Sequence, residues 1–147
     1  MMKKGLFIFL SVFLFGCSSP PVFEGTTAMD NNIWNRFNFL IFEVPVLENE
    51  LLDFYLTVDF TEEYPWDELV TNITFYAPDG SMRSGDYTFP VNESSRISKG
   101  KQSHLFSIRK QMMFSTEGIC EVRVENKSTK VRTPGISNIG LIARYSE

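Results

Sequence analysis

The sequence predicts an all-β fold, a two-layer antiparallel sandwich of about seven to nine strands in the jelly-roll or immunoglobulin-like manner. Three observations carry this. Only three alanines stand against fourteen phenylalanines in 147 residues, a balance that disfavours helix and suits a pleated, half-buried surface. No window of about a dozen residues keeps apolar side chains at i, i+3, i+4 and i+7, the spacing of an amphipathic helix. Alternation of apolar and polar residues recurs instead, in short runs bounded by Pro, Gly, Asn and Asp.

The chain begins with Lys3 and Lys4, then the uncharged, almost wholly apolar run Gly5 to Phe15, then Gly16 and Cys17. A positive region followed by an apolar one is an export signal. Eleven residues make only about 16 Å of helix, whereas a bilayer core of roughly 30 Å needs about 20 apolar residues. Leu14-Phe15-Gly16-Cys17 has the form of a lipobox, so residues 1–16 are expected to leave as a lipoprotein signal peptide. The other reading is an ordinary signal with a chance cysteine. In the lipobox reading the Cys17 thiol takes a diacylglycerol, and its freed amine takes a further acyl chain such as palmitate. One chain holds a protein marginally, while two or three hold it firmly.

Loss of Lys3 and Lys4 with the signal takes the formal charge from −4 to −6. The chain therefore has no basic patch for nucleic acid, and attachment to a membrane rests on acyl chains and not on attraction to anionic lipid. Residues 17–32, with paired serines and prolines, Gly25 and Asp30-Asn31-Asn32, read as a polar tether. Residues 33–147 then form one domain.

Within that domain Phe37, Phe39 and Ile41 share one parity while Leu40, Phe42 and Val44 fill the other, as in a strand covered on both faces or crossing between sheets, with Pro45 limiting it. Leu52, Phe54, Leu56, Val58 and Phe60 alternate with Asp53, Tyr55, Thr57 and Asp59, the pattern of a strand with one wet face. Leu69 to Ala77 forms a third strand closed by Pro78-Asp79-Gly80, and Asp86 to Val91 a fourth. Asn92 to Ser103 is polar and reads as a long loop. His104 to Met113 is extended again. Ser115 to Gly118 turns the chain, and Ile119 to Glu125 follows as a strand able to pair back as a hairpin. After Thr133-Pro134-Gly135, Ile136 to Tyr145 is the last strand.

Groups with chemistry are sparse. His104 is the sole histidine and no serine sits in a nucleophile elbow, so a triad has little to rest on; a polar residue at a strand edge is the plainer reading. One histidine and one spare cysteine do not make a zinc site. Glu62, Glu63, Asp67 and Glu68 crowd one loop, either as a solvated acidic turn or as oxygen ligands, without the Asp-x-Asp spacing of a calcium loop. No metal and no cofactor is expected. Cys120 lies on the parity of Val122 and Val124, as a small core residue, with a reactive thiol as the alternative. The Asn-x-Ser/Thr sequons at Asn72, Asn92 and Asn126 are short enough to arise by chance. Tyr64, Trp66 and Trp34 are candidate binding aromatics, able to stack a glycan or anchor a peptide if exposed. The alternative is that they plug the ends of the sandwich.

The lipobox, Trp34, Phe42-Glu43-Val44-Pro45, Tyr64-Pro65-Trp66 with Leu69, Pro78-Asp79-Gly80 and the closing Gly135-Ile136-Ser137-Asn138-Ile139-Gly140-Leu141 occur in an order that resembles the gliding-motility-associated lipoproteins of the GldH type from Bacteroidota. The resemblance implies a non-catalytic, lipid-anchored envelope protein of the outer membrane, with either leaflet open. It also implies a place in an envelope protein complex that supports gliding and the type IX secretion machinery. A glycan- or peptide-binding surface lipoprotein is the alternative.

Overall fold

The computed structural model describes residues 20–91 and 102–147. The lipobox, Cys17 and most of the loop expected at Asn92 to Ser103 lie outside these residues. The described residues form ten strands: β1 (Phe23–Ala28), β2 (Ile33–Asn35), β3 (Leu40–Val46), β4 (Leu51–Phe60), β5 (Glu68–Tyr76), β6 (Met82–Pro90), β7 (Gln102–Met113), β8 (Gly118–Asn126), β9 (Arg132–Pro134) and β10 (Ile136–Tyr145). Two four-stranded antiparallel sheets, β1-β10-β4-β7 and β3-β8-β5-β6, face each other, and the short pair β2-β9 closes one end. The expected sandwich is what the chain forms.

The layers are joined by phenylalanine. Phe23 of β1 meets Phe42 of β3 with ring centroids 6.4 Å apart, Phe54 of β4 meets Phe75 of β5 at 5.0 Å, and Phe89 of β6 stacks on Phe106 of β7 at 4.5 Å. Each pair spans the sandwich at a different place across its width. Large rings suit a gap of roughly 10 Å between sheets, and this is where the excess of phenylalanine over alanine goes. Around them Leu56, Val58, Ile73, Val122, Ile139 and Leu141 are fully buried. In β4 and β8 every second residue faces this core.

Five expectations are corrected. The tether does not run to residue 32, because Phe23 to Ala28 pair with Ala143 to Asn138 as an edge strand. This strand is short and made mostly of small residues, so it has no apolar alternation to betray it. A Cβ on its Gly25 would stand 2.9 Å from the end of the Phe23 ring, which would have to shift. The stretch around Phe37 to Val44 is not covered on both faces: Leu40, Phe42, Val44 and Val46 are buried, whereas Phe37 and Ile41 are 73% and 51% exposed. Pro45 does not end that strand. β3 is an edge strand, where a missing N–H costs no ladder bond. Finally, β7 and β8 do not form a hairpin. β7 pairs with β4, and β8 lies between β3 and β5, because the turn between them carries the chain across the layers. The fourth strand also starts earlier than expected, at Met82, as the second arm of a hairpin with β5.

Gly135 holds the small end sheet against the body. Its φ is +84°, and a Cβ on it would lie 2.1 Å from the backbone nitrogen of Tyr64, while its carbonyl accepts from Thr61 N–H at 2.8 Å. Gly135→Ala is expected to destabilise the domain by about 3 kcal/mol or more, measured as a lowered denaturant midpoint with unchanged slope.

Candidate functional site

The three aromatics singled out from sequence do not form an open platform. Trp34 is 0% exposed, with its indole N–H donating to the Asn38 carbonyl at 3.0 Å. Tyr64 is buried, its hydroxyl donating to the Glu68 carbonyl at 2.6 Å and its ring 4.9 Å from that of Phe60. Trp66 is half-buried edge-on against Tyr64, with centroids 5.6 Å apart. It borders a shallow hollow of about 170 Å³ shared with Val70, Lys127 and Ser128. Tyr64 and Trp34 are thus plugs at one end of the sandwich. Beside Trp34, buried Asn126 donates to the Trp34 carbonyl at 3.1 Å and to the Thr133 hydroxyl at 2.9 Å, and accepts from Ser128 N–H. That ties β8 to the end sheet.

The reactive groups are placed for packing. Cys120 is fully buried, and burial followed by the nearby Glu121 charge pushes its thiol up to about 12. It behaves as a small apolar residue. The His104 ring lies against Phe106 at 4.4 Å, and its position pairs with Val58 of β4. Glu62, Glu63, Asp67 and Glu68 are exposed on their loop, and among the described residues no group of three or more His, Cys, Asp or Glu is arranged to hold a metal. On the outer face of the first sheet, a polar hollow of about 370 Å³ includes Asp53, Tyr55, Lys110 and Arg144. Burial works to raise the Asp53 carboxyl, but the Ser146 hydroxyl, the Gln111 amide and the Lys110 ammonium outweigh it and leave the group lowered.

A different surface stands out on the outer face of the second sheet. Register places Arg123 between Ile41 and Thr74, and Glu121 between Glu43 and Tyr76. The Arg123 guanidinium lies between two rings, 5.6 Å from the centroid of Phe39 and 5.4 Å from that of Tyr76, with Nη2 3.8 Å from Glu121. Its buried Nε makes no hydrogen bond. Exposed Phe39 and Ile41 flank it. Glu43 and Glu121 are directly opposite each other across the strands, an unfavourable like-charge pairing that Arg123 relieves on one side only. An arginine framed by aromatics, with apolar neighbours, is the composition of a protein interface core. The signal was in the sequence, as the second apolar parity of Phe37, Phe39 and Ile41, but it read as a covered strand.

The family comparison settles the relationship. The model of the GldH lipoprotein family matches residues 21–142, from just before β1 almost to the end of β10. The chain belongs to the GldH lipoprotein family. As a member it is a lipid-anchored envelope protein of a non-enzymatic family, and among its described residues no helix is long and apolar enough to cross a membrane. No curated protein matches it. A solved chain from a structure of the infectious bursal disease virus Gx strain is similar over 86% of this chain at 11% identity, with a TM-score of 0.37. This chain spans about a third of that one, 34% of its length.

Two tests follow from the placement of these groups. Cys120 is expected to resist maleimide in the folded protein at neutral pH and to react fully in denaturant, as followed by mass spectrometry. In the turn after β5, the Ser81 hydroxyl and amide and the Ser115 hydroxyl hold the Asp79 carboxyl down at about 2. A depressed folded-state value gives stability that is present above the unfolded value near 4 and lost as pH falls through about 2. Asp79→Asn is expected to remove that share of the acid sensitivity, seen by comparing denaturant midpoints of both proteins at about pH 5 and about pH 2.5.

Proposed function

We propose that this protein is a non-catalytic component of an outer-membrane assembly that supports gliding and the associated type IX secretion machinery in Bacteroidota. Acyl chains on Cys17 hold it to the membrane, and it docks a protein partner on the outer face of the second sheet. The observation that carries the docking reading is the surface around Arg123. Membership in the GldH lipoprotein family supports the anchor and the gliding role. The placement of Cys120 and His104 in packing positions fits a role in assembly. The glycan-stacking alternative loses its main support, since Trp34 and Tyr64 are buried.

The partner surface has a definite chemistry. Phe39, Ile41 and Pro45 offer apolar contact on the outer side of β3, and Glu43 calls for a cation across the interface to offset its opposition to Glu121. A partner strand or loop carrying apolar residues and a lysine or arginine meets both needs.

In-cell crosslinking of the lipidated protein, followed by capture through a tag, is expected to recover gliding or type IX envelope components in fixed proportion. Ile41→Glu, on an exposed position, is expected to leave the fold intact by circular dichroism and to cut recovery at least about tenfold. Equal recovery from parent and variant would reject the docking surface. Cys17→Ala is expected to abolish labelling with radioactive fatty acid, and persistent labelling would refute the anchor.

A further inference from the structure

Strand ends that meet at one end of the sandwich give it an apolar character. In the first sheet these are the start of β1, the end of β10, the start of β4 and the end of β7. In the second they are the end of β3, the start of β8, the end of β5 and the start of β6. Three contacts show that they share one end. Asn49 N–H bonds the Phe114 carbonyl, the Ser115 hydroxyl bonds Asp79, and the Cβ position of Gly118 abuts the Pro78 ring. Six exposed large apolar residues belong to these strand ends: Leu47, Leu51, Met82, Met113, Ile119 and Tyr145. They stand where loop chemistry normally supplies polar residues.

The same end receives the chain from Cys17. Val22 N–H already bonds the Ala143 carbonyl at 2.8 Å, so the fold begins five residues after the cysteine. Five residues at full extension reach at most about 18 Å. The end bearing the six apolar residues is therefore held close to any membrane that holds Cys17. The opposite end lies about 30 Å further out, the length of a nine- or ten-residue strand.

We infer that this end of the sandwich seats directly on the lipid surface, with Leu47, Leu51, Met82, Met113 and Ile119 entering the headgroup boundary and Tyr145 at the interface, so that the domain stands upright on the membrane. The inference rests on the proposal that Cys17 is acylated. Depth is that of a peripheral apolar face, roughly 5–10 Å into the boundary, and a tyrosine is suited to the interfacial level. Exposed Glu48, Glu50, Glu117 and Glu147 belong to the same end, so the seating favours zwitterionic over anionic lipid. Upright seating holds the Phe37 end away from the bilayer.

The test uses the full lipidated chain reconstituted in phosphatidylcholine vesicles that carry a headgroup-proximal spin-labelled lipid. Single cysteines replace Leu47, Met82 or Met113 at the seated end, and Phe37 or Val131 at the far end, each bearing the same environment-sensitive dye. Buried Cys120 stays unlabelled. Dyes at Leu47, Met82 and Met113 are expected to shift to the blue and to lose about half or more of their emission to the quencher. Dyes at Phe37 and Val131 are expected to lose little. Replacing part of the phosphatidylcholine with phosphatidylglycerol is expected to weaken the effect. Flotation of the vesicles separates the two readings. Protein that floats with lipid but shows equal, weak quenching at both ends overturns the seating alone and reassigns these side chains to a protein neighbour. Protein that does not float overturns the anchor and the seating together.

Discussion

The structure depends on ring pairs that bridge its two layers. Phe23 with Phe42, Phe54 with Phe75 and Phe89 with Phe106 fix the separation of the sheets at three places. Nearly every connection between the principal strands passes from one sheet to the other, the β5–β6 hairpin being the exception. Local hydrogen bonding alone therefore cannot assemble either layer. β10 is laid down last yet occupies an interior position between β1 and β4, so the first sheet is complete only when both ends of the domain are in place. The close approach of Gly140 to Thr57 and Thr26 belongs to the same constraint, because a side chain there would push the neighbouring strands apart.

Much of this was legible in the residues, and what was not had a physical reason. The alternation in β4 and β5 can be read directly, because each presents an apolar parity to the core, and the bounds of β10 follow from the Pro134-Gly135 turn before it, although its residues are buried on both parities. β1 could not be seen, since Gly25, Thr26, Thr27 and Ala28 carry no hydrophobic signal and gain their strand geometry from β10. β2 and β9 have three residues each, too few for a period to appear. Sequence identified Trp34 and Tyr64 as unusual but could not decide their burial, which depends on Asn126, Thr133 and Gly135 arriving from far along the chain. The Phe37 to Ile41 parity was visible and its meaning was not: two apolar parities describe a covered strand, and an isolated chain supplies cover for only one.

The two ends of the sandwich thus differ in chemistry and in what they are near. One is made of strand termini and tight turns, with aliphatic side chains, methionines and a tyrosine, and receives the polypeptide from the anchor. The other is closed by β2 and β9 and plugged by Trp34 and Tyr64. The aromatic and arginine surface lies on the outer face of the second sheet, from Phe39 near the plugged end to Tyr76 at the end of β5. A rigid ring-filled core lies between the two ends.

The placement of β1 has a mechanical consequence. It is an edge strand whose first residue is nearest the anchor, and six of its residues are in register with β10. Antiparallel ladder bonds run perpendicular to the strands. Tension applied between the N-terminus and the second sheet pulls β1 along its own axis, so the ladder is strained in shear, with its bonds sharing the force at once. The same strand pulled perpendicular to its axis would peel one bond at a time. The topology gives the domain resistance to tension applied along β1 from its N-terminal end.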